Sequence, residues 1–349
     1  MHPTVSVIVP TYGRPERLGQ LLVTLLQQDC LSNQYEVIVV DDGSPEAVGE
    51  MVNRFAERSQ VAVKCLRTSH GGPAVARVRG ADQARGELLV FVDDDMLVGF
   101  DFLREHIAAH REAGPAAVNC LFEWRVKAQP ESFQRWYSHR VGEWAASRRS
   151  AMRAIGNGLF EIQNVLLTTA NISVARSDYE RVGGFDTGYV FSCEDQDFGL
   201  RLADAGVRGV VTTRTRAVHV ETRNTLRSVC WRQAAGARDA VRFMRRFSLL
   251  DRPDQAWLVM VNDPIRISVD PLPVIVKKAL KALVARNVAA PLVFSVMALW
   301  GRVPLGVSWL ERTYDLVVGA HLRKGWCEGR KMYGPESGPL RLEGETRGG

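Results

Sequence analysis

The sequence predicts an α/β fold, a mainly parallel sheet flanked by helices, followed by a mostly helical C-terminal region. Three observations predict it. Short apolar runs alternate with segments of helical period from Val5 to Val92, the mark of a parallel sheet covered by helices. Two of those runs end directly in carboxylates, Asp41-Asp42 and Asp93-Asp94-Asp95. Beyond Thr225 the pattern turns helical and stays so.

Val5–Val9 reads as a buried strand, closed by Pro10 and the turn-forming Tyr12-Gly13. From Arg17 to Gln28, Leu18, Leu21, Leu22, Leu25 and Leu26 recur at helical spacing. Glu36–Val40 is a second strand, ending at Asp41-Asp42-Gly43-Ser44. Pro45–Glu57 is a helix with Val48, Met51, Val52 and Phe55 on one face, and Val61–Leu66 a third strand. His70-Gly71-Gly72-Pro73 breaks the chain before a helix over Ala74–Ala84, and Leu88–Val92 is the fourth strand. Phe102–Ala113 reads as helix, and Val118–Phe122 and Val165–Val174 as strands. Asp178–Phe185 contains a turn at Gly183-Gly184, and Asp195–Ala205 is an amphipathic helix capped by Gly206. Val207–Val211 and Ala217–Val220 read as short strands.

Composition narrows the classes. The 349 residues are 46% hydrophobic and 24% charged, enough for one large domain and a smaller appended region. The six cysteines are scattered without a CxxC pair, which predicts reduced thiols in a cytosolic compartment. The first residues carry no basic region followed by a long apolar stretch, so no signal peptide is expected, and no stretch has the length of a membrane span. Net charge is +6, and Pro271–Arg330 supplies the whole excess with nine Lys or Arg against three acids. That charge flanks apolar residues rather than forming an aromatic-interleaved basic stripe, which argues against nucleic acid.

The run of three aspartates demands a reason, because a helix cap needs only one carboxylate and the others repel. Carboxylates at x and x+2 over a strand end suit a hard divalent cation with positions left for phosphate oxygens. No GxxxxGK[ST] loop is present to hold phosphates, and Pro10-Thr11-Tyr12-Gly13-Arg14 stands where a dinucleotide fold has GxGxxG. A third acidic group, Glu194-Asp195-Gln196-Asp197, follows the glycine- and aromatic-rich GGFDTGYVFSC. Acids at a helix start also serve as caps, and Asp41-Asp42-Gly43-Ser44 also reads as a plain turn.

Taken together, VSVIVPTYGRPERL, VVDDGSP, GGPAVARVRGADQARGELLVFVDDD, VGGFD and EDQDFGLRL, in this order, resemble glycosyltransferase family 2, inverting enzymes of the GT-A fold. The resemblance runs from about Val5 to His219. It implies a Rossmann-like GT-A domain over 1–225, with a nucleotide-binding part (1–98) and an acceptor-binding part (99–225). A helical region over 226–335 and a flexible tail over 336–349 follow. In the nucleotide pocket it places Pro10, Thr11, Tyr12 and Arg14, with Asp42 and its neighbour Asp41 on the base and Arg77 on the nucleotide. Asp93 faces the ribose, Asp94 lies within the same motif, and Asp95 coordinates Mn2+ or Mg2+, with His219 completing the shell. Asp195 is the general base and Glu194 shapes the acceptor side.

The implied reaction is transfer of a single sugar from a nucleotide sugar, a UDP-sugar by preference, to a glycan, lipid-linked or small-molecule acceptor. The Gln-x-x-Arg-Trp motif of processive synthases is missing. A metal-dependent nucleotidyltransferase or an inactive GT-A-like scaffold are the alternatives. The stretch Trp124–Arg149 reads equally as acceptor platform, lid or packing surface. The segment 273–305, with Lys277, Lys278 and Lys281 beside the uncharged Asn287–Gly301, reads as a peripheral membrane contact on the inner face of the plasma membrane, or as a buried hairpin or homodimer surface.

Overall fold

The structure, a computed structural model, describes residues 4–30, 32–126, 132–221, 225–250, 256–268, 270–285, 293–295, 297 and 307–333. Most of the uncharged Asn287–Gly301 stretch and the whole 336–349 tail lie outside these residues. The chain forms two compact units. The first holds Met1–Val126, Trp144–Val190 and Glu194–Glu221; the second holds Lys127–Glu143, Phe191–Cys193 and Thr222–Gly349.

In the first unit β1 (Val5–Thr11), α1 (Pro15–Leu25), β2 (Tyr35–Asp41), α2 (Gly49–Glu57), β3 (Ala62–Arg67), α3 (Pro73–Gln83) and β4 (Leu88–Val92) alternate as the apolar pattern predicts. β5 (Met96–Val98), α4 (Phe102–Ala113), β6 (Ala116–Val126) and α5 (Ser132–Ser150), which belongs to this unit only from Trp144 onward, follow. Then come β7 (Arg153–Gly156), β8 (Leu159–Ile162), β9 (Asn171–Ala175), α6 (Arg176–Arg181), α7 (Glu194–Asp204) and β10 (Arg208–Glu221). The sheet order is β3-β2-β1-β4-β9-β6-β10-β8-β7, with β5 paired to β10. Strands β1 to β4 run parallel to one another wherever they pair, and β9 enters antiparallel between β4 and β6.

The two sheet faces feed separate cores. Val5, Val7, Val9, Val90 and Val92 join Leu18, Leu21, Leu22 and Leu25 of α1 on one side. Ile8, Ile38, Val40, Leu89 and Phe91 join the alanines of α3 and Phe185 and Phe198 on the other. Strands buried on both faces read as continuous apolar runs, which is why β1, β2 and β4 were legible. Helix α3 lies close over β1 because Gly80 has no side chain; an added Cβ would overlap Ile8 Cγ2. After β1 the chain builds outward through β2 and β3, then returns to place β4 on the other side of β1. The reversal leaves a crevice at the C-terminal ends of β1 and β4, where open α/β sheets hold ligands.

Several expected boundaries move. The helix expected from Pro45 begins at Gly49, because the Asp41 carboxylate accepts the Ser44 and Val48 N–H groups and holds that stretch as a turn. The strand expected over Val165–Val174 shrinks to Asn171–Ala175, preceded by a 3-10 turn over Asn164–Leu166. There Asn164 Nδ2 donates to Val207 O at 2.8 Å. The two short strands expected over Val207–Val220 are one strand, β10, with a bulge between Thr212 and Ala217. Helix α6 precedes the expected Gly183-Gly184 turn, and both glycines have positive φ.

In the second unit the described residues after Thr225 are helical as predicted: α8 (Leu226–Arg246), α9 (Ala256–Asn262), α10 (Leu272–Val284) and α11 (Val307–Tyr333). Thr225 and Ser228 cap α8 reciprocally, at 3.1 and 3.0 Å. Gly325 lets α11 meet the α8 backbone at Ala234. Among the described residues no helix is long and apolar enough to cross a membrane.

Candidate active site

The three aspartates after β4 are each met by a cationic side chain, Arg77 at Asp93 and Arg14 at both Asp94 and Asp95, which offsets the repulsion the sequence raised. Asp94 turns inward: Thr11 Oγ1 at the end of β1 donates to its Oδ2 at 2.7 Å, and Arg14 Nη1 to its Oδ1 at 3.1 Å. Burial pushes the Asp94 pKa up to about 7, against the pull of Arg14 and with the push of Asp95. Asp95 accepts from the same Arg14 Nη1 at 2.8 Å, and its Oδ1 lies 3.3 Å from His219 Nε2. His219 arrives there because Val220 N–H donates to Asp95 O at 2.8 Å and β10 pairs with β5. Asp93 accepts from Arg77 Nη2 at 2.7 Å.

Arg77 is the centre of the site. Presented by α3 and fully enclosed, its guanidinium spans Asp93 and Glu194, donating from Nη1 to Glu194 Oε1 at 2.9 Å. Its carbon sits 5.7 Å from the Phe185 ring centroid. Burial opposes the charge, yet the two carboxylates hold its pKa above the ordinary value. The acidic group at the start of α7, 117 residues away in sequence, is thereby joined to the aspartates after β4. Burial raises the Glu194 pKa, with the charge of Asp195 adding and Arg77 opposing. Asp195 is half-buried and its pKa is also raised, chiefly by burial and against Arg77. Its Oδ1 accepts the Gln196 N–H at 2.9 Å.

Other expected site residues lie at or just after the C-terminal ends of β1 and β2. Pro10 is buried within β1, in register with Val40. Asp41 is buried and accepts from Ser44 N at 2.8 Å and Arg67 Nη1 at 2.8 Å. Asp42 is buried and accepts from Gly71 and Gly72 N–H, both at 2.9 Å, and pairs with His70 Nδ1 at 2.8 Å. Asp41 thus shapes the loop after β2 and Asp42 the loop after β3. Tyr12 is exposed and stacks on His70 with ring centroids 4.2 Å apart. His70 was legible only as part of a chain break; its ring beside Tyr12 is a product of the Asp42 contacts. Trp124 was likewise hidden in the ambiguous Trp124–Arg149 stretch. It lies in register with His219, with ring centroids 4.0 Å apart, and Trp144 packs edge-on against it at 6.1 Å. That stretch divides: α5 from Trp144 onward belongs to this unit, where Arg148 donates to Leu166 O and Asn119 Oδ1.

Among the described residues no three His, Cys, Asp or Glu side chains converge as a closed metal site. Asp95 and His219 supply one carboxylate and one imidazole, and His219 Nδ1 is buried without a hydrogen-bond partner. A hard oxygen and a nitrogen donor would suit a divalent cation such as Mn2+ or Mg2+ in an open site.

The chain is 28% identical over 239 residues to a validoxylamine A glucosyltransferase of Streptomyces hygroscopicus subsp. limoneus, covering 64% of this chain and 53% of that protein. A mannosyltransferase of Pyrobaculum calidifontis, in complex with GDP-Man and Mn2+, shares the fold with a TM-score of 0.57 and 22% identity. The match covers 93% of this chain and 88% of that one. S. aureus TarS 1-349 in complex with UDP-GlcNAc matches with a TM-score of 0.51 and 18% identity, over 95% and 91% of the two chains. Both likenesses establish the GT-A fold. Residues 6–170, which hold the β1 and β4 ends and Arg77, match the model of glycosyl transferase family 2.

Proposed function

We propose that the chain is an inverting glycosyltransferase that moves one sugar from a nucleotide sugar, a UDP-sugar by preference, onto an acceptor hydroxyl. Residues 1–225 carry this activity, with donor contacts from 1–98 and acceptor contacts from 99–225. The observation that carries the reading is the Arg77 bridge, which ties the aspartates at the β4 end to the acid pair of α7. A transferase needs both groups within one site: one set for the leaving diphosphate, the other for the incoming hydroxyl.

Asp95 and His219 would hold Mn2+ or Mg2+, which when bound neutralises the departing diphosphate. Arg14 stands at the same carboxylates and adds positive charge there. Asp93, fixed by Arg77, faces the ribose, and the stacked Tyr12 and His70 rings offer the base a flat surface. Asp195 accepts the hydroxyl proton as the acceptor oxygen bonds to the anomeric carbon and the nucleoside diphosphate leaves from the opposite face. The raised pKa makes Asp195 a stronger base than an ordinary carboxylate, and the anomeric configuration inverts in one displacement. Glu194, enclosed against Arg77, is a positioning residue.

Titration calorimetry with UDP, GDP and dTDP, with and without Mn2+, tests the donor side. One nucleotide is expected to bind tightly only with metal, and Asp95→Ala to abolish that dependence. Binding indifferent to both metal and Asp95→Ala would overturn the metal assignment. Proton NMR of the product then reads the anomer, and retention would overturn the single displacement.

A further inference from the structure

Helix α10 is polarised against the rule for a helix in water. Two of its three lysines turn inward: Lys278 Nζ donates to Asp270 Oδ2 at 2.7 Å and to Pro264 O at 3.2 Å. Lys281 lays its stem on Gly319, where an added Cβ would lie 3.3 Å from its Cε. On the opposite side Leu272, Val276, Leu280 and Leu283 are between 45% and 72% exposed. At 3.6 residues per turn these four fall within an arc of about 80°. Ile267, just before the helix, is 84% exposed. A water-facing helix presents the reverse arrangement.

The charges select the occupant. Between residues 264 and 285 the sequence has one acid, Asp270, and it is buried against Lys278. Lys277 and Arg266 are exposed beside the apolar stripe. An apolar face edged by cations with no exposed acid complements a surface that is apolar inside and negative at its rim. A second copy of this chain seated on the same face would bring Lys277 and Arg266 against their like, with no acid of the segment to answer them. We propose that α10 and the Ile267 turn dock on an anionic lipid bilayer, the helix lying in the plane of the interface with its leucine stripe toward the acyl chains.

Co-sedimentation of the full chain with vesicles tests this. Phosphatidylglycerol vesicles should bind the protein at least about tenfold better than phosphatidylcholine vesicles, and about 1 M salt should weaken the binding. Val276→Asp with Leu280→Asp should remove at least about tenfold of that binding while the circular dichroism spectrum and UDP binding stay unchanged. Should that pair prevent folding, Leu272→Gln with Leu283→Gln serves as the milder form of the same test. Absence of binding to phosphatidylglycerol, or binding that neither pair alters, overturns the proposal. So does a wild-type dimer that the substitutions convert to monomer with no vesicle binding in either form, an outcome that would assign the face to a second copy.

Discussion

Arg77 decides what the two acidic groups become. Without it Asp93, Glu194 and Asp195 would face one another half-desolvated, and buried carboxylates of one sign answer such crowding by binding protons. Arg77→Met is therefore expected to cost about 3–5 kcal/mol of stability, read by urea denaturation, because it strands carboxylates that have lost their partner. Asp195→Asn is expected to lower kcat by about 10²–10⁴-fold with nucleotide affinity unchanged, since only proton transfer is lost. The pH profile follows from the sign of the shift. A base must be ionised, and the Asp195 pKa is raised, so kcat should be complete only above the ordinary carboxylate range and fall as pH drops through the raised pKa. A kcat flat from pH 8 to about pH 4 would remove Asp195 from the role.

At the level of elements, a small residue and a buried pair of histidines carry most of the information. Gly80→Ala should gain helix propensity, about 1 kcal/mol, but forces a methyl into Ile8, which costs about 1–3 kcal/mol. Overpacking wins, and because α3 also presents Arg77, the expected result is lower stability together with weaker nucleotide binding. Under α4, His106 Nδ1 and His110 Nε2 both meet Ser173 Oγ, at 2.7 and 2.8 Å. Burial lowers their pKa values to about 3 and about 4. The folded values lie below the unfolded value of about 6.5, so their contribution is fully present above about pH 6.5 and is lost as pH falls from there toward 4. The melting temperature should decline over that window, and His110→Asn should reduce the slope.

Across the whole molecule, ligand binding should report on the first unit, which carries the proposed site residues. A nucleotide at about 100 times its Kd stabilises the state that binds it by about 2.7 kcal/mol. Hydrogen exchange is expected to slow at the β1 and β4 ends and at α3 when UDP and Mn2+ are added, and Asp95→Ala should abolish the effect. Protection confined to α8–α11 would place the nucleotide elsewhere.

The sequence by itself determined the alternation of β1 to β4 with their helices, the acidic ends of β2 and β4, and the likeness to glycosyl transferase family 2. Strands buried on both faces must be apolar throughout, and helices resting on them must be apolar every three or four residues, so these patterns are written locally. It also marked Glu194 and Asp195, through the odd aromatic loop before them. Only the tertiary structure gave each of these acids its partners. Asp41, Asp42 and Asp95 look alike in sequence, yet loop N–H groups consume the first two, while the third meets Arg14 and His219. The direction of α10 was hidden for the same reason. Its lysines and leucines give an ordinary amphipathic count, and which face turns outward depends on Asp270 and Gly319, partners that periodicity does not reveal.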